Sequence, residues 1–305
     1  MKPVNHIKIK NSMSVNELAV QMGFAGVLGA GRLGKAVNIC EAMIKDEDCK
    51  VFLGLAGPLV PGGMREIIIE MIEKKWVDVV VATGATLTHD LGEALGYRHY
   101  QGRADADDAE LHKKGFDRVY ESYMPNNIYE GMEDFIAKNF EHLKDKLSIK
   151  EFLWELGKLT PKKSICKACF ENKIPLFCPA ISDSGIGLMI WGQLARGKQA
   201  KTRAFEDLKE IIDIAWTAKK AGVIYFGGGV PKNYIQQAMQ FAPKSASYGV
   251  QVTMDRAEPG GSSGAELKEG ISWGKMNANA KFVDLICDAT IAMPIICAAL
   301  KERIK

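Results

Sequence analysis

The sequence has no long hydrophobic run, no excess of charge of one sign and only five histidines. Its most apolar stretch, Phe282 to Leu300, is interrupted by Asp284, Asp288 and Pro294. A spanning helix needs about 20 nearly uninterrupted apolar residues, so this stretch reads instead as a strand followed by a buried helix. The first ten residues hold no apolar core of the kind a secretory leader needs, and a cytoplasmic protein is expected. Forty basic residues against 37 acidic ones leave a net charge of +3 and no basic tract, which argues against nucleic acid as the primary partner. Seven cysteines, an odd number, sit mostly inside apolar segments and read as buried reduced thiols. Cys166-x-x-Cys169 has neither a second pair nor spaced histidines to accompany it, so no metal is expected there. Internal repeats, low-complexity linkers and a clear domain boundary are also missing. A single α/β domain over residues 1–305 is expected, with an N-terminal helical extension through residue 48.

With 47% hydrophobic residues the chain can build a large core. Ser14 to Met22 has helical spacing, with Val15, Leu18, Ala19 and Met22 on one face. Gly29-Ala30-Gly31-Arg32-Leu33-Gly34 then matches the dinucleotide fingerprint formally, but a helix rather than a strand precedes it, so these glycines are expected to form a turn before a second helix from Gly34 to Ile44. From Lys50 strands and helices alternate: strands at Lys50 to Leu55 and Val77 to Ala82, helices at Pro61 to Lys75 and Thr86 to Leu95. This pattern predicts a Rossmann-like fold, a mostly parallel central sheet with helices on both faces. The charged region from Tyr97 to Asn126, which holds His99 and His112, reads as a solvated loop with a short helix. Helices are predicted at Ile128 to Leu143, Ser148 to Gly157, Ser164 to Asn172 and Phe205 to Ala221, and strands at Ile174 to Cys178, Gly222 to Phe226, Tyr248 to Thr253 and Phe282 to Cys287.

The candidate chemistry lies near the C-terminal end. Gly260-Gly261-Ser262-Ser263-Gly264 lets backbone approach a ligand, and Glu269, Trp273 and Lys275 follow. A carboxylate and an indole face hold an ammonium group, and a lysine with reduced solvation can attack an imine carbon. Lys275 is therefore the candidate nucleophile. The competing reading is a glycine-rich surface loop that ends in a buried Trp and a solvated Lys.

Ser272-Trp273-Gly274-Lys275 resembles the active-site signature of deoxyhypusine synthases. The likeness extends in order through Val51-Phe52-Leu53-Gly54, Val77-Asp78-Val79 running into Thr83-Gly84-Ala85, Ile174 to Ala180, Gly227-Gly228-Gly229-Val230 and Asp288-Ala289. The resemblance implies an NAD-dependent transfer of the aminobutyl group of spermidine, through an imine on Lys275, to a lysine of the hypusine-containing translation factor. It implies cofactor contacts at Gly57, Pro61, Thr83, Gly84, Ala85, Asp183, Gly228, Asp288 and Ala289, and substrate contacts at Glu269 and Trp273. It also implies a homotetramer with sites between paired subunits.

Several positions depart from the family pattern. Asn233 stands where a histidine is expected, Leu188 and Ser262 replace acids, and Thr88-His89 replaces a pair of acids. Asn233, Ser262 and His89 thus remain candidate substrate contacts in a rebuilt polyamine pocket. Three functions stay open: deoxyhypusine synthase; the same chemistry with another amine or a small acceptor, as in homospermidine formation; and a non-catalytic NAD-binding paralogue that partners a catalytic chain.

Overall fold

A computed structural model describes residues 1–304. The chain opens with α1 (Val15–Ala25), α2 (Leu28–Lys45), β1 (Cys49–Leu55), α3 (Arg65–Glu73), β2 (Val79–Ala82), α4 (Gly84–Ala94), β3 (Tyr100–Gln101), α5 (Asp108–Lys113), β4 (Phe116–Val119) and β5 (Ser122–Pro125). It continues through α6 (Asn127–Leu143), α7 (Ile149–Leu159), α8 (Ile165–Asn172), β6 (Leu176–Phe177), α9 (Gly185–Ala195), α10 (Ala204–Thr217), β7 (Lys220–Phe226), α11 (Gly229–Phe241), β8 (Ala246–Thr253), β9 (Met276–Ile286) and α12 (Ala289–Arg303). A six-stranded parallel sheet runs in the order β6-β2-β1-β7-β8-β9, as the alternation of strands and helices predicts.

The chain divides into two compact bodies, the first formed by Met1–Ala56, Trp76–Val81 and the chain from Leu208 onward, the second by Gly57–Lys75 and Ala82–Asp207. In the first body, β1 and β7 bury nearly every residue, as strands covered on both faces must. Phe52, Leu53, Leu55, Tyr225 and Phe226 are at the centre of that core. Phe282 to Leu300 forms the end of β9 and most of α12, whose Met293, Ile296, Ala299 and Leu300 are buried.

The glycines of residues 29–34 do not form an interhelical turn. They lie in the first turns of α2, while Gly26 closes α1 with φ +73°. A Cβ on Gly34 would come within 2.4 Å of the Gly23 backbone, and one on Gly31 within 2.4 Å of Gly26. The motif is there to let two helices touch.

In the second body Ser148 and Ser164 cap α7 and α8 by accepting from Glu151 N–H and Lys167 N–H. The region from Tyr97 to Asn126 is not a loop with a single helix: β3, β5 and β4 form an antiparallel sheet beside α5. Its strands are two to four residues long and partly exposed, so they carry no apolar alternation to read. The predicted strand Ile174 to Cys178 is reduced to Leu176–Phe177, and the predicted helix from Pro61 starts at Arg65, because Pro58 to Met64 makes successive turns.

Candidate active site

Parallel strands present their carboxyl ends, and the helix starts that follow them, along one edge of a sheet. In the first body β7 delivers Gly227-Gly228-Gly229 to that edge. Gly227 and Gly229 adopt φ +80° and +56°, which only glycine takes readily. A Cβ on Gly228 would meet the Ser263 Cβ at 2.4 Å, so the missing side chain is what seats the glycine-serine loop. At the end of β9, Asp288 caps α12 by accepting from the Thr290 N–H at 2.7 Å and its hydroxyl at 2.9 Å; Ala289 is the first helical residue.

The glycine-serine loop is pinned by a residue that sequence reasoning missed. Lys232, one turn into α11, is 2% exposed and donates to the Ser262 and Ala265 carbonyls, both at 2.6 Å. Burial pulls its pKa down to about 8, against the opposing charges of Asp284 and Glu269 and with a further push from Lys275. The Ala265 carbonyl also accepts from Gln251 Nε2 at 3.0 Å, and Leu267 N–H donates to the Asp284 carboxylate. Ser262 thus contributes a carbonyl to the clamp. Asn233, the next residue along α11, is exposed. The only hint of Lys232 in the sequence is its place three residues after the triple glycine.

Lys275 follows a 3-10 turn, Leu267–Ile271, that carries Glu269. Its N–H donates to the Gly270 carbonyl at 2.8 Å, and its own carbonyl accepts from Ala246 N–H at 3.2 Å. The side chain is half-buried, with Nζ 4.8 Å from the centroid of the Trp273 ring. Trp273 is 56% exposed and not buried, and Glu269 is exposed as well. Carboxylate, indole face and amine are thus close in sequence and turned outward.

Lys275 stands at the opposite end of β9 from Asp288. Met276 is level with Ala246 and Ile286 with Thr253, which separates the two ends by on the order of 20 Å at about 3.3 Å per residue. Gly227 N–H donates to the Val252 carbonyl, so the triple glycine sits at the Asp288 end.

The second body holds the remaining candidates. Thr83 caps α4 by accepting from Thr86 N–H at 3.3 Å, which leaves the first-turn amides of Gly84 and Ala85 without an intrahelical acceptor. A Cβ on Gly84 would strike the Ser184 Cβ at 2.4 Å, and Ile186 N–H donates to the Thr88 hydroxyl at 3.2 Å. The start of α4 and the Asp183–Gly187 turn are therefore brought together, with Asp183 exposed. Gly57 has φ +85°, and the Pro61 carbonyl accepts from the Ser122 hydroxyl at 3.1 Å. Burial pulls His89 down to about 4, and its Nδ1 lies 2.9 Å from His99 Nε2. Cys166 and Cys169 are buried in α8, and burial raises both thiols well above their usual range.

The family model for deoxyhypusine synthase matches residues 17–300. The chain belongs to the deoxyhypusine synthase family. It is 44% identical to a protein named probable deoxyhypusine synthase 1 from Methanosarcina acetivorans over 99% of this chain and 95% of that one. It is 39% identical to one of the same name from Archaeoglobus fulgidus, over 97% of each chain. An Entamoeba histolytica crystal structure, described provisionally as a deoxyhypusine synthase, matches in fold with a TM-score of 0.61 at 18% identity over 94% of this chain and 93% of that one.

Proposed function

We propose that the chain transfers the aminobutyl group of spermidine, through an imine on Lys275, to a lysine of the hypusine-containing translation factor, with NAD as cofactor. The observation that carries this reading is the placing of Lys275 Nζ over the Trp273 ring, one short turn after Glu269. A ring face that already accepts one ammonium suits a cationic substrate, and the neighbouring carboxylate suits its far end. The amine of Lys275 then attacks the activated carbon. Its C–N bond forms as the bond to the leaving diamine breaks, and the acceptor lysine later displaces it in the same way.

The residues proposed for the cofactor fit a dinucleotide chemically. First-turn amides at Gly84 and Ala85 suit phosphate oxygens, and the exposed Asp288 carboxylate, which caps its own helix, suits ribose hydroxyls. Gly57, Pro61, Thr83, Asp183, Gly228 and Ala289 complete the proposed set. Bound there, NAD supplies the hydride acceptor that makes the substrate carbon electrophilic and the donor that closes the cycle.

The distance between Lys275 and Asp288 within one chain, and the exposure of Glu269 and Trp273, support sites shared between paired subunits of a homotetramer. A second reading, transfer with another amine, is favoured by the uncharged set of Asn233, Leu188, Ser262 and His89 at the positions expected to grip the polyamine; the low pKa of His89 keeps it neutral.

Incubation with NAD and a panel of amines, followed by borohydride reduction and peptide mass spectrometry, tests both readings. Spermidine should leave an adduct on Lys275 that Lys275→Ala abolishes while NAD binding persists. An adduct with a different amine alone selects the second reading, and no adduct with any amine refutes both.

A further inference from the structure

A chain of three polar side chains runs from α4 into the segment after it. His89 Nδ1 lies 2.9 Å from His99 Nε2, and His99 Nδ1 lies 2.9 Å from Glu93 Oε1. His89 and Glu93 are four residues apart and so share a face of α4. The chain then reverses at Gly96, φ +108°, and returns His99 to that face. The His99 side chain is 6% exposed and Glu93 26%.

Hydrogen-bond chemistry sets the direction of this chain. A carboxylate only accepts, so His99 Nδ1 carries the hydrogen facing Glu93. Neutral His99 then has a bare Nε2, which needs a hydrogen from His89 Nδ1. Neutral His89 is left with a bare Nε2 that has no protein partner among the described residues. The terminal atom of the chain is a proton acceptor, carried by the helix that springs from the carboxyl end of β2.

We propose that Glu93, His99 and His89 form a proton relay in which His89 Nε2 takes the proton from the substrate ammonium. This rests on the transfer reaction proposed above, in which the amine beside the reacting carbon must be uncharged before that carbon can lose hydride. Asn233 cannot accept that proton. As His89 Nε2 gains one hydrogen, Nδ1–H passes to His99 Nε2 and His99 Nδ1–H passes to Glu93. The ammonium and the carboxylate are both neutral at the end, and the two imidazoles have exchanged tautomers. Glu93, partly exposed, returns its proton to water. His89 is the catalytic residue; His99 and Glu93 act through it.

Among the described residues, the charged groups around the relay include Arg65 of α3, 3.9 Å from Glu93 and 2.8 Å from Asp90, Asp90 itself, and Lys162, whose Nζ lies 3.2 Å from where a Cβ on Gly96 would stand. Burial pushes Glu93 up, but the hydrogen bond with His99 and the charge of Arg65 outweigh it and hold the carboxyl below its usual range. Burial keeps His89 neutral down to about pH 4. The terminal imidazole is therefore uncharged, and able to take a proton, through the neutral range.

Long-range proton–nitrogen NMR of the full chain, labelled at histidine, reads the tautomers directly. We expect His89 to carry its hydrogen on Nδ1 and to stay neutral at pH 6. Glu93→Gln keeps an acceptor for His99 and so the tautomer, but removes the proton sink. It should slow formation of the borohydride-trapped Lys275 adduct from NAD and spermidine by about 10- to 100-fold at pH 7, less as pH rises and the free amine forms unaided. His99→Phe should lose both the tautomer preference and the rate. A His89 hydrogen on Nε2, or a Glu93→Gln protein with the wild-type rate and pH profile, overturns the relay. If no amine yields an adduct with the wild type, the catalytic role falls together with the transfer reading, while the tautomer measurement still decides whether the relay exists.

Discussion

At the scale of single residues, the informative positions are those where one atom more or less decides what can approach. Gly228 touches Ser263 where a Cβ would stand. Gly228→Ala should displace the glycine-serine loop and cost about 1–3 kcal/mol, read as a lowered midpoint in chemical denaturation. His89 makes a prediction with a definite sign. Its pKa is about 4 when folded against an ordinary 6.5, so between those values the unfolded chain binds a proton that the folded chain refuses. Its contribution to stability is whole above pH 6.5 and is lost as pH falls toward 4. Asp90, which burial pushes up to about 6 despite Arg65, contributes in the opposite direction over part of that range. Comparing wild type with His89→Gln by urea unfolding at pH 7 and pH 5 isolates the histidine. The wild type should lose about 1–2 kcal/mol more than the variant on acidification.

Among the elements, the glycines of α2 separate two meanings of one motif. A nucleotide-binding loop needs a strand before its glycines, and here α1 comes before them and packs on them. Gly34→Ala should force α1 away from α2 and destabilise the protein by about 1–3 kcal/mol, while NAD affinity measured by calorimetry on the folded fraction stays unchanged. A selective loss of NAD affinity would restore the fingerprint reading. The small sheet β3-β5-β4 shows the opposite case, in which an element leaves too little pattern to find. Its strands pair through backbone, bury few side chains and are interspersed with charge, so nothing in the sequence marks them as extended.

For the whole molecule, the two ends of β9 carry the two halves of the proposed chemistry. If Lys275 of one subunit serves cofactor bound by its partner, mixing two inactive proteins should restore activity. Lys275→Ala lacks the nucleophile and Asp288→Ala lacks a cofactor contact, so a mixed pair holds one doubly defective site and one intact site. Co-refolded or co-expressed mixtures should recover about a quarter of the wild-type adduct yield, since roughly half the pairs are mixed and each of those has half its sites intact. No recovery, with mixed assemblies verified by mass, would place both functions in one chain. The helix α9 adds a reason to expect assembly. It exposes Leu188, Trp191 and Leu194 at helical spacing, 55%, 66% and 43% respectively, an apolar stripe that a partner surface would cover.

Periodicity and composition by themselves determined the α/β class, the parallel strands and the helices they alternate with, because each of those elements buries a face and must write that burial into its spacing. The order of motifs determined the family, and with it Lys275 as the residue to test. Only the tertiary structure decided what lies around that lysine. Lys232 has no mark in the sequence beyond its place after the triple glycine, and it is the fold of α11 beneath the glycine-serine loop that strips its water and aims it at two carbonyls. Glu93 and His99 are likewise unremarkable until a reversal at Gly96 brings them into line with His89. Spacing records which side of an element is buried; it does not record which distant segment folds back to meet it.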